Sequence, residues 1–184
     1  MIKANIENIV ASTIFAKTLD LDLISQKISD IEYEPDRFPG LVFRIKQPKT
    51  ATLLFTSGKG ICTGAKNADE IQKVIYRISD KLKHIGLNVY EKKDLVFEIR
   101  NIVATATLGG ELNLSQVAMG LGLENIEYEP EQFPGLVYRL KNPKVVMLLF
   151  SSGKIVCTGG RTIEDVSKAV NQLSNELISL ELFL

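Results

Sequence analysis

Tyr33-Glu-Pro-Asp-Arg-Phe-Pro-Gly-Leu-Val-Phe-Arg44 returns ninety-five residues later as Tyr128-Glu-Pro-Glu-Gln-Phe-Pro-Gly-Leu-Val-Tyr-Arg139. Continued to Lys66 and Arg161, the alignment keeps 21 identities in 34 paired positions. The chain is a direct repeat, with halves placed at residues 1–92 and 93–184. Units of about ninety residues are far longer than solenoid repeats. Two similar units in one chain predict a pseudo-twofold object, and a ligand that is roughly twofold as well.

Each half reads as strand, helix, several strands, helix. Ile6 to Ile14 and Ile99 to Leu108 are predicted strands, matched through Asn8-Ile-Val-Ala-Ser and Asn101-Ile-Val-Ala-Thr. Short helices are expected over Leu21 to Ser29 and Leu114 to Leu121. Leu41 to Lys46, Thr50 to Thr56 and Lys59 to Thr63 are short, β-rich and separated by the turn signals Gln47-Pro48 and Ser57-Gly58, which predicts an antiparallel meander. The closing helix carries a cap at Asn67 with Glu70 three residues on, an apolar stripe of Ile71, Val74, Ile75, Ile78, Leu82 and Ile85, and a stop at Gly86. Thr162 with Val166, Ala169, Val170, Leu173, Leu177 and Leu180 repeats that design.

Strand parity exposes a surplus of apolar surface. Alternate strand residues face opposite sides. If Leu54 and Cys62 pack under the helices, then Val10, Leu53, Phe55 and Ile61 lie on a face that no helix of the chain remains to cover. Such a face is an interaction surface. The alternative left open is that the two halves bury these faces against each other as a sandwich.

With 184 residues, 45% hydrophobic and 24% charged, the chain is a globular protein with enough apolar residues for a core. No apolar run reaches a membrane span, and Met1-Ile-Lys-Ala-Asn lacks a signal-peptide layout. No membrane partner is expected, and an intracellular location is. Cys62 and Cys157 are repeat mates, which predicts buried thiols in a shared packing position rather than a disulfide or metal site. The net charge is zero, yet residues 1–92 hold 14 Lys+Arg against 11 Asp+Glu and residues 93–184 hold 8 against 11. A local basic rim is compatible with that distribution.

The duplicated Glu-Pro-x-x-Phe-Pro-Gly-Leu-Val-x-Arg, Pro-Lys-x-x-x-Leu-Leu-Phe-x-Ser-Gly-Lys and Cys-Thr-Gly blocks, each unit opening on Asn-Ile-Val-Ala, resemble the TATA-box-binding protein family over nearly the whole chain. The lack of a long N-terminal extension points to the archaeal form. The resemblance implies an α+β saddle: two direct repeats forming a continuous curved antiparallel sheet, four helices on the convex side and a concave face that grips the DNA minor groove. The family is itself a type example of minor-groove kinking, so that geometry comes with the resemblance. It also implies a general initiation factor that binds and bends the TATA element of double-stranded DNA, recruits transcription factor B and positions RNA polymerase. No cofactor is implied. The location would be cytoplasmic and nucleoid-associated in an archaeal cell, or nuclear in a eukaryote.

The residues at matching positions suit that role. The minor groove offers acceptors at A·T pairs and adds the guanine amino donor at G·C pairs, so an A·T reader needs a few donors amid close apolar contact. Asn8, Asn101, Thr63 and Thr158 match the family's central polar contacts, with Ser12 and Thr105 nearby. Val10, Val103, Ile61 and Val156 would press on the groove floor, and Leu53 and Leu148 extend that surface. Phe38, Phe55, Phe133 and Phe150 match the intercalating phenylalanines. Arg44, Lys49, Lys59 and Lys66, with Arg139, Lys144, Lys154 and Arg161, align with backbone contacts, and Ser57 and Ser152 add hydroxyls. If most of the cations engage phosphates, affinity falls roughly a thousandfold or more between low and moderate salt. Glu129, Glu131 and Gln132 match the loop that docks factor B.

Other chemistries find little support. His84 is the only histidine, which argues against a triad or histidine metal cluster, and no catalytic residue is assigned. Glu34 with Asp36 is read as a solvated loop around a proline. Lys73, Arg77 and Lys81 form a basic helix face whose mates are Lys168, Gln172 and Glu176, either a solvated surface or a dock for an acidic partner or flanking DNA. The apolar tail Leu177-Ile-Ser-Leu-Glu-Leu-Phe-Leu184 leaves open a homodimer contact off DNA and packing on a helix. The rival to the DNA reading is a protein-binding scaffold that uses the apolar sheet face.

Overall fold

Ten strands and four α-helices make up the fold in a computed structural model that describes residues 1–184. In chain order they are β1 (Asn5–Ile14), α1 (Leu21–Lys27), β2 (Ile31–Glu32), β3 (Leu41–Ile45), β4 (Thr50–Leu54), β5 (Lys59–Ala65), α2 (Ala68–His84), β6 (Phe97–Thr107), α3 (Leu114–Leu121), β7 (Ile126–Glu127), β8 (Leu136–Lys141), β9 (Lys144–Leu149), β10 (Lys154–Gly160) and α4 (Ile163–Ser179). By compactness the chain divides into Asn8–Arg100, here the first unit, and Met1–Glu7 with Asn101–Leu184, the second. Compactness thus cuts inside β1 and β6, at different points from the sequence repeat.

The class is α+β, as expected. The first unit orders its strands β2-β3-β4-β5-β1 and the second β6-β10-β9-β8-β7, with antiparallel neighbours. Two-residue β2 and β7 extend each meander by an edge strand that the sequence did not announce. Gln47–Pro48 and Asn142–Pro143, the turns before β4 and β9, are cis.

One face of each sheet is closed by helices. In α2 the Asn67 side chain accepts from the Glu70 amide at 2.9 Å, as predicted, while the Glu70 carboxylate accepts from the Lys66 amide at 2.7 Å, one residue before the cap rather than on the cap itself. Ile71, Val74, Ile75, Ile78 and Leu82 are buried, each contributing roughly 1.5–3 kcal/mol by leaving water. In α4, Thr162 caps through Asp165 and Val166, Ala169, Val170, Leu173 and Leu177 are buried. Leu180 departs from the predicted stripe: it is the helix cap and is exposed. Helix α1 ends at Lys27, short of Ser29, because Ile28 already has extended backbone.

Cys62 and Cys157 are free thiols, buried as mates under the helices, where burial pushes both pKa values up, that of Cys157 to about 11. The apolar tail packs on its own unit. Phe183 forms a bridge with Leu112, the Leu184 amide donates to the Glu111 carbonyl, and Leu182 lies so close to Gly120 of α3 that an added Cβ would come within 2.8 Å. Of the two readings of the tail, helix packing accounts for its placement.

Candidate nucleic-acid interface

The other face of each sheet has no helix over it. In β4, Thr50, Thr52 and Leu54 are buried while Ala51 and Leu53 are half-buried, and β9 and β10 alternate in the same way. Val10, Leu53, Phe55 and Ile61 of the first unit stay partly open, as do Val103, Leu148, Phe150 and Val156 of the second. These positions keep solvent access, and no helix of their own unit covers them.

Cross-strand register makes this surface continuous within each unit. Leu53 sits opposite Ile61 and Val42, and Leu148 opposite Val156 and Val137. Hydroxyls and amides interrupt it at two matched places. The Asn8 carbonyl oxygen accepts from the Gly64 amide at 2.6 Å while its nitrogen donates to Thr63 Oγ1 at 3.1 Å. Asn101 does the same with Gly159 at 2.7 Å and Thr158 at 3.2 Å. These bonds fix the amide orientation and leave one N–H of each asparagine unspent.

The residue after each threonine makes that clamp possible. Strand β5 shifts register against β1 between Ile9 and Ala11, and β10 against β6 between Thr158 and Gly160. The extra residue is Gly64 in one case and Gly159 in the other, at φ +106° and +100°. A β-bulge with left-handed backbone turns its N–H toward the asparagine, and that backbone is open to glycine at no steric cost. The repeated Cys-Thr-Gly block carried this signal, but only as a motif.

At the margin of each apolar face two phenylalanines meet. Phe38 and Phe55 stand edge to face with centroids 6.0 Å apart, and Phe133 and Phe150 at the same separation. Phe38 is 43% and Phe133 41% exposed, where an isolated large aromatic would be expected in the core. Phe38 is held by a turn in which its amide donates to the Glu34 carbonyl, while Phe55 opens the β4–β5 turn and donates to the Lys59 carbonyl. Gly40 and Gly135 make room for the rings: an added Cβ would come within 2.6 Å of Phe38 and 2.7 Å of Phe133.

The cations fall into two groups. Lys49, Lys59, Lys66, Lys144, Lys154 and Arg161 are exposed and make no salt bridge. Arg44 and Arg139 instead pair with Glu32 at 3.3 Å and Glu127 at 3.6 Å, carboxylates on the edge strands that sequence reading overlooked. Ser57 and Ser152 lie exposed in the matched turns before β5 and β10. Glu129, Glu131 and Gln132 are exposed on the loop leading to Phe133. On the basic face of α2, Arg77 donates to the Gln47 carbonyl and Lys81 lies 5.6 Å from the centre of the Phe43 ring, so both have partners within the unit.

A family model described as transcription factor TFIID (or TATA-binding protein, TBP) matches residues 3–85 and 96–180. The chain is 54% identical to the TATA-box-binding protein of Archaeoglobus fulgidus over 98% of this chain and 97% of that one. It is also 54% identical to that of Picrophilus torridus, over 96% and 95%. Among solved structures, Methanococcus jannaschii TBP is similar with a TM-score of 0.88 and 45% identity, covering 96% of this chain and 99% of that one. The chain belongs to the TATA-box-binding protein family, a family of transcription factors and not of enzymes.

Proposed function

We propose that this protein is a general transcription initiation factor that binds the TATA element through the minor groove. The observation carrying this reading is the uncovered apolar face, present twice, with a fixed asparagine–threonine pair within it and an exposed phenylalanine pair at its margin. A·T edges in the minor groove carry only acceptors. The unspent N–H of Asn8 and of Asn101 supplies donors, and the flanking valines, isoleucine and leucines leave a guanine amino group neither space nor partner. Phe38 with Phe55, and Phe133 with Phe150, act as wedges that unstack a base step and kink the duplex, a few kcal/mol per step that the wider contact of the bent form offsets. The six free cations hold phosphates. Arg44 and Arg139 join them by exchanging a carboxylate for a phosphate.

The bound complex then recruits transcription factor B and RNA polymerase on the nucleoid. The loops before the two wedges differ in a way that suits this. Arg37 pairs with Glu34 at 3.3 Å, whereas Gln132 stands at the matching position and leaves the Glu129 carboxylate unpaired beside Glu131. Two free carboxylates and an amide form the dock for factor B. Charge reversal at Glu129 and Glu131 should abolish the ternary complex while binary DNA binding persists.

Inosine·cytosine substitution tests the groove assignment. Such pairs keep the A·T pattern in the minor groove and change the major groove. The substituted TATA duplex should bind as the parent does, whereas G·C pairs should cost about 1–3 kcal/mol each. Loss of binding on inosine·cytosine would contradict minor-groove reading.

A further inference from the structure

Glu7 and Arg100 are repeat mates: each directly precedes Asn-Ile-Val-Ala. One is an acid and the other a base, and each reaches a matched hydroxyl of its own unit. In the first unit Arg100 Nε donates to Ser12 Oγ at 2.8 Å, with Arg100 Nη2 also 3.2 Å from Glu98. In the second unit Thr105 Oγ1 donates to Glu7 Oε1 at 2.9 Å. The consequence for the hydroxyls is opposite. Ser12 accepts from a guanidinium and keeps its own proton to give, whereas Thr105 gives its proton to a carboxylate and retains only lone pairs.

Arg100 shares a hollow with Ser12, Ser57, Lys59, Asp94 and Glu98, two cations against two carboxylates, with Arg100 itself spent on Ser12 and Glu98. At the mates of Ser12, Ser57, Lys59 and Arg100 the second unit has Thr105, Ser152, Lys154 and Glu7, so one cation there is replaced by an acid. Phosphates and A·T minor-groove edges are acceptors, while guanine adds a donor. A narrow A-tract groove also carries enhanced negative potential that attracts arginine.

We infer that Arg100 and Glu7 set the direction in which this pseudo-symmetric protein lies on DNA, and this rests on the minor-groove reading above. The first unit takes the half-element with an A·T-rich flank and the more negative groove. The second tolerates the half whose flank contains G·C.

The test is a duplex with a uniform A·T core, an A-tract flank at one end and a G·C flank at the other. A donor dye on Asn88→Cys, an exposed site of the first unit, and an acceptor on either DNA end report orientation. The parent should favour the first unit at the A-tract end by roughly threefold, the scale of a partly screened charge contact. Glu7→Arg combined with Arg100→Glu should invert that ratio. A double variant that binds with the parent's ratio would overturn the inference. A parent that does not bind would overturn the minor-groove reading and this one with it. Independently, Arg100→Gln should lower the slope of log affinity against log salt by about one. An unchanged slope would also count against it.

Discussion

The two units solve one packing problem with different side chains. In the first, Phe15 is fully buried and Gly60 lies beneath it, so close that an added Cβ would stand 2.5 Å from the ring. In the second the same positions hold Leu108 and Ile155, both buried. A large residue against none has become two of middle size, and the layer is filled either way. A second exchange sits at the helix–sheet contact. Phe43 receives Lys81 over its ring, while Tyr138 donates to Glu176 Oε2 at 3.2 Å. By contrast Asn8, Thr63 and Gly64, and the phenylalanine pairs with their glycines, recur with the same geometry in both units. The covered face varies in compensated pairs, whereas the asparagine clamps and phenylalanine pairs of the uncovered face do not, as expected if a roughly twofold ligand holds the latter fixed.

That contrast can be broken most severely at Gly60. Gly60→Ile should destabilise the protein by about 3 kcal/mol or more, since the ring has nowhere to move in a close-packed layer. Adding Phe15→Leu, which recreates the second unit's arrangement, should recover most of the loss. A denaturant double-mutant cycle measures the coupling, and independent, additive effects would show that the two positions are not a compensated pair.

On the open face the expected loss lies in binding. Phe150→Ala and Phe55→Ala should each weaken the DNA complex by about 2 kcal/mol and reduce its bend, within the few kcal/mol that a wedged step involves. Thermal unfolding of the free protein should change far less than DNA affinity. A variant that bends duplex like the parent would remove that phenylalanine from the wedge.

The bulge glycines offer a smaller test. Gly64→Ala and Gly159→Ala each force left-handed backbone on a residue with a Cβ, at about 1 kcal/mol or more. Gly64 should be the worse, because its new Cβ would come within 2.7 Å of the Lys49 carbonyl oxygen while the nearest atom at Gly159 is 3.5 Å away. Equal losses in stability would show that backbone strain alone decides the matter.

Smallest is the alkaline response. Burial, the Glu176 charge and the hydrogen bond to it raise the Tyr138 pKa to about 12, above its unfolded value of about 10. The stability this tyrosine contributes is full below pH 10 and is lost as pH rises toward 12. Tyr138→Phe should flatten the decline in Tm across that window. An unchanged slope would place the titration elsewhere.

Much of this was legible because duplication lets one half check the other. The capping of α2 and α4, the apolar stripes and the uncovered face all follow from spacing and parity, since each depends on local periodicity. What remained hidden depends on partners distant in sequence. The Arg44–Glu32 and Arg139–Glu127 pairs bridge neighbouring strands, and the clamp on Gly64 joins residues fifty-six positions apart. Glu7 and Arg100 lie one residue before the shared Asn-Ile-Val-Ala block, at a position where the halves oppose each other in charge, so no repeated motif marks them.

Energy transfer between dyes at the two ends of a short TATA duplex, titrated with protein beside a G·C-substituted control, tests binding and bending together. A saturable rise on the TATA duplex alone is the expected result. A TATA duplex that is bound with its end-to-end distance unchanged, or a control that bends equally, would contradict the wedge mechanism.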